Sequence, residues 1–242
     1  MYNLLIAISI GAALFGLGMG VAGTIVAGII PALLGVIIAY VMLARRTGKL
    51  FQAVMERATK EFQANRFEAG MRMMESCFRF ANWQFLIGPQ IHGQMGMLYY
   101  LQRKWGPARK HLSQSWKRDW RAQSMLAALD HREGKKPAAL ERLEKLTGWG
   151  GKDPVFWGLY AYVALEAKQR DKALELIGQG LKKCPDSPGL KDMANAVRNK
   201  KKLKMKAFAP TWYQYFPEQM PRSQMQRYAQ NQPGMRYPQP RR

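Results

Sequence analysis

The first 44 residues of this 242-residue chain contain no charged side chain, although the whole sequence has 38 Lys and Arg against 16 Asp and Glu. The formal net charge of +22 therefore lies entirely in residues 45–242. An uncharged leader joined to a strongly basic body excludes an ordinary soluble globule, an acidic solvating tail and a collagen-like chain. Cysteine is scarce as well: Cys77 and Cys184 allow at most one disulfide and favour reduced thiols.

Patterns that carry catalysis or metal binding are also missing. The sequence has three histidines, and none has a second potential ligand three or four residues away, as a zinc site would require. No Gly-x-Ser-x-Gly elbow is present. The glycine-rich residues 148–153 lack the strand before them and the Lys-Ser/Thr after them that a phosphate-binding loop needs. We therefore expect no catalytic residue, no metal, no cofactor and no enzymatic activity.

The uncharged leader, residues 1–44, is twice as long as one membrane span requires. Residues 4–43 contain no Asp, Glu, Lys, Arg or His, whereas a spanning helix needs about 20 apolar residues. The pattern predicts a transmembrane hairpin with arms 4–21 and 25–43 that turns near Gly20, Gly23 and Thr24. One span plus a re-entrant piece, or a cleaved signal peptide, are the alternatives. A signal peptide would have a basic start and a shorter apolar core.

Basic residues directly after the leader predict its orientation. Arg45, Arg46 and Lys49 follow the second arm, and Lys and Arg near a span end favour the cytoplasmic side. We expect an integral protein of a bacterial inner membrane with its body in the cytoplasm. Gly16 and Gly20 form a small-xxx-small pair, which favours packing between the arms or an oligomer formed through the hairpin.

An internal period marks residues 45–206. Similar amphipathic pieces recur around Ala69, Ala108, Ala139 and Ala173, at spacings of 39, 31 and 34 residues. These spacings bracket the 34 residues of a helix-turn-helix repeat. The periodicity predicts helices near 51–64, 67–81, 87–103, 107–117, 121–132, 137–147, 154–168, 171–183 and 187–203.

These pieces resemble tetratricopeptide repeats. The fourth is the clearest, with Trp157 in the early aromatic position, Ala173 opening the second helix and Pro185 closing the unit. In the second repeat, Gly96 and Tyr99 precede Ala108. The first repeat, around Ala69, matches the pattern only weakly. The resemblance implies a solenoid of antiparallel helix pairs with a groove that binds peptides, and it assigns helix packing to Ala69, Gly96, Tyr99, Ala108, Ala139, Trp157, Ala173 and Pro185.

The last part of the chain, residues 207–242, is rich in Pro, Gln, Arg and aromatic residues and cannot build a core alone. A cationic run precedes an aromatic cluster there, and residues 198–242 carry 11 Lys or Arg against the single Glu218. Contact with anionic lipid or with a protein partner is the expected role of Lys200, Lys201, Lys202, Lys204, Lys206, Trp212, Tyr213 and Phe216. A tail without further function is one alternative, and nucleic-acid binding is the other.

Together these patterns predict an all-α protein with a transmembrane hairpin, a tetratricopeptide-like solenoid and an irregular basic tail. The function we expect is that of a membrane-anchored scaffold that binds protein partners through the groove or the tail. A structural or assembly subunit of a larger membrane complex is the first alternative. A membrane-associated regulator that binds nucleic acid is the second.

Overall fold

The computed structural model describes residues 1–220, and every regular element in that range is helical, as the sequence predicts. The tail predicted beyond residue 220 lies outside the described residues. Three short 3-10 turns cover Cys77–Phe80, Met205–Phe208 and Pro217–Gln219. The α-helices are α1 (Tyr2–Ala22), α2 (Ile25–Gln63), α3 (Phe67–Ser76), α4 (Ile87–Leu101), α5 (Trp105–Ser113), α6 (Trp120–Arg132), α7 (Lys136–Lys145), α8 (Thr147–Gly150), α9 (Pro154–Glu166), α10 (Arg170–Lys183), α11 (Pro188–Arg198) and α12 (Trp212–Tyr215).

The chain forms two compact units, Met1–Ile91 and His92–Arg242. The boundary between them falls within α4. The first unit contains the apolar pair α1 and α2 followed by α3. The second unit contains the helix pairs α6–α7 and α9–α10, preceded by α5 and followed by α11, and it holds a continuous buried apolar core.

In the first unit, α1 and α2 form an apolar hairpin that turns at Gly23, whose φ of 63° is left-handed. The arms approach closely at four glycines, Gly11, Gly18, Gly28 and Gly35, and at two of them a Cβ would lie less than 3.0 Å from the opposite backbone. A Cβ on Gly18 would lie 2.6 Å from the Ala27 carbonyl oxygen, and one on Gly28 would lie 2.9 Å from the Phe15 carbonyl oxygen. Gly16 faces open space, as does Gly20. The small-xxx-small pair therefore lies outside the contact between the arms.

The apolar side chains of the hairpin point outward. Two helices, Tyr2–Val21 and Ile25–Gln63, are long and apolar enough to cross a membrane, and only 11% and 6% of their most apolar windows are buried. Leu33, for example, is 59% exposed. A core helix of a soluble protein would bury these side chains, because water contact costs about 25 cal/mol per Å² of apolar surface. The hairpin thus exposes an apolar surface along both of its helices.

Helix α2 is longer than the sequence predicts. The expected helices 25–43 and 51–64 form one continuous helix of 39 residues. The segment between them has no proline, and its one glycine, Gly48, costs about 1 kcal/mol, which is too little to end a helix that is supported on both sides. The polar half of α2 then packs against α3.

Helix boundaries in the second unit follow from local chemistry. The side chains of Asp119, Asp153 and Ser187 each accept a hydrogen bond from a backbone N–H in the first turn of α6, α9 and α11, respectively. The turns that follow α6, α9 and α11 in this unit, and those that follow α2 and α4, share one backbone feature. A residue with left-handed φ recurs at intervals of 31 to 38 residues, at Asn65, Arg103, Gly134, Lys168 and Lys200.

Small residues lie where paired helices meet. Three of the alanines singled out from the sequence are fully buried, namely Ala108, Ala139 and Ala173. A Cβ on Gly96 would lie 2.8 Å from the backbone nitrogen of Leu112, so α4 and α5 touch there.

The first unit differs from this pattern. Ala69 is only half-buried, and its neighbour Gly70 lies against the ring of Phe62. The close approach is therefore shifted by one residue relative to the alanine that the sequence indicates.

Candidate functional site

Helices α4, α6, α9 and α11 share one face, and the chain itself lies across it. We call this face of α4, α6, α9 and α11 the groove, and residues 205–220 the resident segment. The segment follows α11 and runs back from α11 and α9 towards the C-terminal end of α4.

The resident segment begins with an aromatic ring held against two glycines. A Cβ on Gly158 of α9 would lie 2.9 Å from the Phe208 ring, and one on Gly189 of α11 would lie 2.7 Å from it. Any larger residue at either position would displace the ring. These two glycines therefore form the pocket for the first anchor of the segment.

Trp212 and Phe216 are the central anchors. Trp212 is completely buried and Phe216 is 2% exposed. Both rings contact Tyr162 of α9 at 5.2 Å between centroids, and Phe216 also meets His131 of α6 at 6.0 Å. The indole N–H of Trp212 donates to Gln219 within the segment at 2.8 Å. Aromatic rings packed in this way contribute more than their buried area alone.

Three donors bind main-chain carbonyls of the segment. The Tyr100 hydroxyl donates to the Tyr215 carbonyl at 2.6 Å, and Arg132 donates to the same oxygen at 3.0 Å. Arg103 donates to the Pro217 carbonyl at 3.1 Å. Burial raises the pKa of Tyr100 to about 12, so its hydroxyl keeps the proton it donates. Because carbonyl oxygens are common to every peptide, these contacts do not depend on the bound sequence.

Arg132 joins the charged end of the segment to its aromatic part. Its guanidinium also pairs with Glu218 at 2.6 Å and lies 4.6 Å from the centre of the Trp105 ring. Burial acts to lower the pKa of Arg132, but the Tyr100 hydroxyl and Glu218 outweigh it and raise that pKa. The arginine therefore stays charged, and charge-assisted hydrogen bonds are about twice as strong as neutral ones.

The tail residues predicted for lipid or partner contact fall into two groups. All five lysines are exposed, but they follow the end of α11 at Arg198 instead of lying on a helix that extends to residue 203. Trp212, Tyr213 and Phe216 are buried in the groove. The expectation that these rings lie at a lipid surface therefore does not match their placement, because they bury their apolar area within the protein.

The residues predicted to set membrane orientation are exposed on α2. Arg45, Arg46 and Lys49 follow the apolar half of that helix. Trp157 is 3% exposed and donates to the Gly151 carbonyl at 2.9 Å, Tyr99 packs against the core, and Pro185 is exposed in the turn after α10.

Within residues 1–220, no group of three or more His, Cys, Asp or Glu side chains could hold a metal ion. His92 and His111 form a pair with 3.1 Å between their Nδ1 atoms, and burial lowers the pKa of both. Neither cysteine forms a disulfide: Cys77 is buried and Cys184 is partly buried.

No protein-family model matches this chain, and no curated protein matches it either. One solved structure that resembles it is described as "MamA RS-1 ArsTM double mutant". The two chains are 17% identical, the match covers 74% of this chain and 96% of that one, and the TM-score is 0.49. The description of the fold therefore rests on the helix pairs of this chain itself.

Sequence reasoning did not identify Tyr100, Arg103 and Arg132, the three donors to main-chain carbonyls of the segment, which we call the main-chain clamp. They contact carbonyls 83 to 115 residues later in the chain, and no local pattern marks such a distant partner. The repeat register offers a partial signal, since Tyr100 and Arg132 lie near the C-terminal ends of first helices. That signal would have indicated the face of the helix but not its ligand.

Proposed function

We propose that this protein is a membrane-anchored helical-repeat scaffold whose groove binds protein partners, and that the resident segment fills the groove when no partner is bound. The main-chain clamp carries the proposal. Tyr100, Arg103 and Arg132 bind main-chain carbonyl oxygens, which a partner peptide in the same short helical turns would also offer, and the ring pockets add selectivity.

The segment itself indicates the chemistry of a competing partner. Its anchors are an aromatic pair four residues apart, Trp212 and Phe216, followed by an acidic side chain that pairs with Arg132. A partner that presents two such rings and a nearby carboxylate would reproduce these contacts. Aromatic anchors in desolvated pockets typically dominate the binding energy of protein interfaces.

The membrane part of the proposal rests on the exposed apolar surface of α1 and α2. We place this hairpin in a bacterial inner membrane, with Arg45, Arg46 and Lys49 on the cytoplasmic side. The anchor would hold the groove at the membrane surface and raise the local concentration of membrane-bound partners.

Peptide exchange tests the groove. Residues 201–204, which link α11 to the resident segment, are largely exposed, so a protease site placed there allows the full-length protein to be cut in detergent. We expect a fluorescent peptide of residues 205–220 to bind the cut protein by replacing the segment, and not to bind the uncut protein. The matched control is the same peptide with Trp212→Ala and Phe216→Ala, which should not bind. If the cut protein never exchanges its segment, the segment is a permanent part of the core and the proposal fails.

A structural subunit of a larger membrane complex is the second candidate. It is favoured by Gly16 and Gly20, which face open space on the outer side of the hairpin where another helix could approach closely. A discrete hetero-complex after purification in mild detergent, lost on Gly16→Ile, would favour this role. A lone monomer would favour the scaffold.

A further inference from the structure

Residues 81–86 form an uncharged loop, ANWQFL, in a chain of net charge +22. The loop is fixed to the beginning of α1. Its Asn82 carbonyl accepts a hydrogen bond from the backbone nitrogen of Tyr2 at 2.9 Å, and its Trp83 carbonyl accepts one from that of Asn3 at 3.3 Å. The first N–H groups of a helix have no partner within the helix, so the loop satisfies two of them.

Side chains tie the same loop to both arms of the hairpin. Asn3 is 1% exposed, and its amide donates to the Thr47 hydroxyl at 3.0 Å and to the Gln84 amide oxygen at 3.2 Å. Gln84 in turn donates to the Tyr40 hydroxyl at 3.4 Å. Because buried polar groups without partners are costly, this network holds the loop, the start of α1 and the middle of α2 at one level.

Two large apolar side chains of this fixed loop are nevertheless exposed. Phe85 is 59% exposed and Trp83 is 43% exposed. Trp83 packs edge-on against Tyr2, itself 48% exposed, at 5.2 Å between ring centroids. These rings continue the apolar outer surface of α1, on which Leu5 is 59% exposed.

The length of α1 determines the depth of the loop. Its 21 residues span about 31 Å, close to the hydrocarbon thickness of about 30 Å. With the Gly23 turn at one boundary, Tyr2 lies at the other. Arg45 and Arg46 directly precede Thr47, the partner of Asn3, so positive charge lies at the same level as the rings. Tryptophan, tyrosine and basic side chains are enriched at this depth in membrane proteins.

We infer that the 81–86 loop is a third membrane contact, in addition to α1 and α2. In this contact, Trp83 and Phe85 enter the phospholipid head-group region beside the start of α1. The inference rests on the proposed function, because it requires the hairpin to span the bilayer. Phospholipid is the expected occupant because the rings are continuous with the surface that the hairpin would present to lipid.

Depth-dependent quenching tests the loop and the hairpin separately. Full-length protein with Cys77→Ala and Cys184→Ala takes one new cysteine, labelled with the fluorophore NBD, and is reconstituted into phosphatidylcholine–phosphatidylglycerol vesicles. Phe85→Cys reports on the loop and Leu33→Cys on the hairpin. Lys60→Cys, exposed near the end of α2 and about 20 Å along the helix from Thr47, is the matched control.

We expect nitroxide lipids labelled near the head group to quench position 85, lipids labelled deep in the chain to quench position 33, and neither to quench position 60. Quenching at 33 without quenching at 85 overturns the third contact and leaves the anchor intact. Absence of quenching at 33 contradicts the membrane anchor, and the inference fails with it whatever position 85 shows.

The native tryptophan provides a check without a label. In vesicles with lipids brominated near the head group, the quenched fraction of the intrinsic fluorescence should fall in Trp83→Phe relative to the original protein. An unchanged quenched fraction would also overturn the inference.

Discussion

The hairpin α1–α2 and the resident segment 205–220 are both rich in large apolar side chains, yet the structure treats them in opposite ways. Leu33 of the hairpin is 59% exposed, whereas Trp212 of the segment is completely buried. The hairpin satisfies its backbone within its own helices and leaves its side chains outside, which suits a lipid environment. The segment has only short helical turns and obtains both ring contacts and carbonyl partners from the groove. Apolar composition alone therefore does not indicate which environment covers a segment.

The largest difference between the two regions should be in the loss of stability when one side chain in each is truncated. Trp212→Ala removes a fully buried ring, and we expect a loss of about 3–5 kcal/mol in the free energy of unfolding of the second unit. Leu33→Ala should change it little, because that side chain contacts few protein atoms. Denaturation of the full-length protein in detergent, followed by circular dichroism, measures both. Equal losses would mean that the regions do not differ as described.

The next largest difference is expected between two arginines, Arg132 beside the resident segment and Arg45 on the hairpin helix α2. Arg132→Met removes one of the two donors to the Tyr215 carbonyl and the partner of Glu218, and should lower the free energy of unfolding by about 2 kcal/mol. Arg45→Met, at an exposed position on α2, should cost nothing measurable in the same experiment. Arg132→Met should also speed the exchange of the resident segment in the cut protein. A stable Arg132→Met variant with unchanged exchange would remove Arg132 from the clamp.

The two regions should also differ in how well they tolerate a larger side chain in place of a small one. Ala173 is fully buried between helices, so Ala173→Leu should overpack the contact and cost about 1–3 kcal/mol. Gly16→Ala adds a methyl group where nothing lies within 4 Å and should be tolerated. Pro185→Ala, in an exposed turn, is the control within the repeats. Thermal melts that rank Pro185→Ala as the more damaging change than Ala173→Leu would show that the repeat register is wrong.

The smallest expected effect is a pH dependence confined to the second unit. Burial lowers the pKa of His92, His111 and His131 below the ordinary value of 6.5. The unfolded chain then binds more protons than the folded one, so stability is fully present above about pH 6.5 and falls as the pH drops below it. The first unit, Met1–Ile91, contains no histidine.

Melting curves between pH 7.5 and 5 check this expectation. His131→Phe, beside Phe216 and Tyr162, should reduce the loss of stability at low pH. An identical pH profile in this variant would show that His131 does not contribute to the effect.

Much of the fold could be predicted from the sequence because it depends on local spacing. The recurring alanines predict the helix pairs, and the uncharged leader predicts the apolar hairpin. Most predicted helix bounds lie within a few residues of the observed ones. The continuous helix α2 could not be predicted, because the weak break at Gly48 is overridden by packing on both sides. The one-residue shift from Ala69 to Gly70 depends on the Phe62 ring, which the repeat pattern does not specify.

The binding of the resident segment in the groove could not be predicted from the sequence, for a different physical reason. The pattern of rings from Phe208 to Phe216 indicates an apolar surface, but lipid, a partner and the groove would all cover it favourably. The groove is covalently tethered to the segment, which gives the segment a high effective concentration that an external partner lacks. The contacts of Tyr100 and Arg132 with the Tyr215 carbonyl show that the groove covers the segment, and these contacts exist only in the folded chain.

Hydrogen exchange of the full-length protein tests the central claim most directly, because it measures the free energy of opening for each region separately. The account predicts that the protected amides of residues 205–220 exchange through an opening of distinctly lower free energy than those of α6 and α9, since the segment leaves the groove while the repeats stay folded. Exchange of the segment and of both helices through one shared opening, with equal free energy, would contradict it.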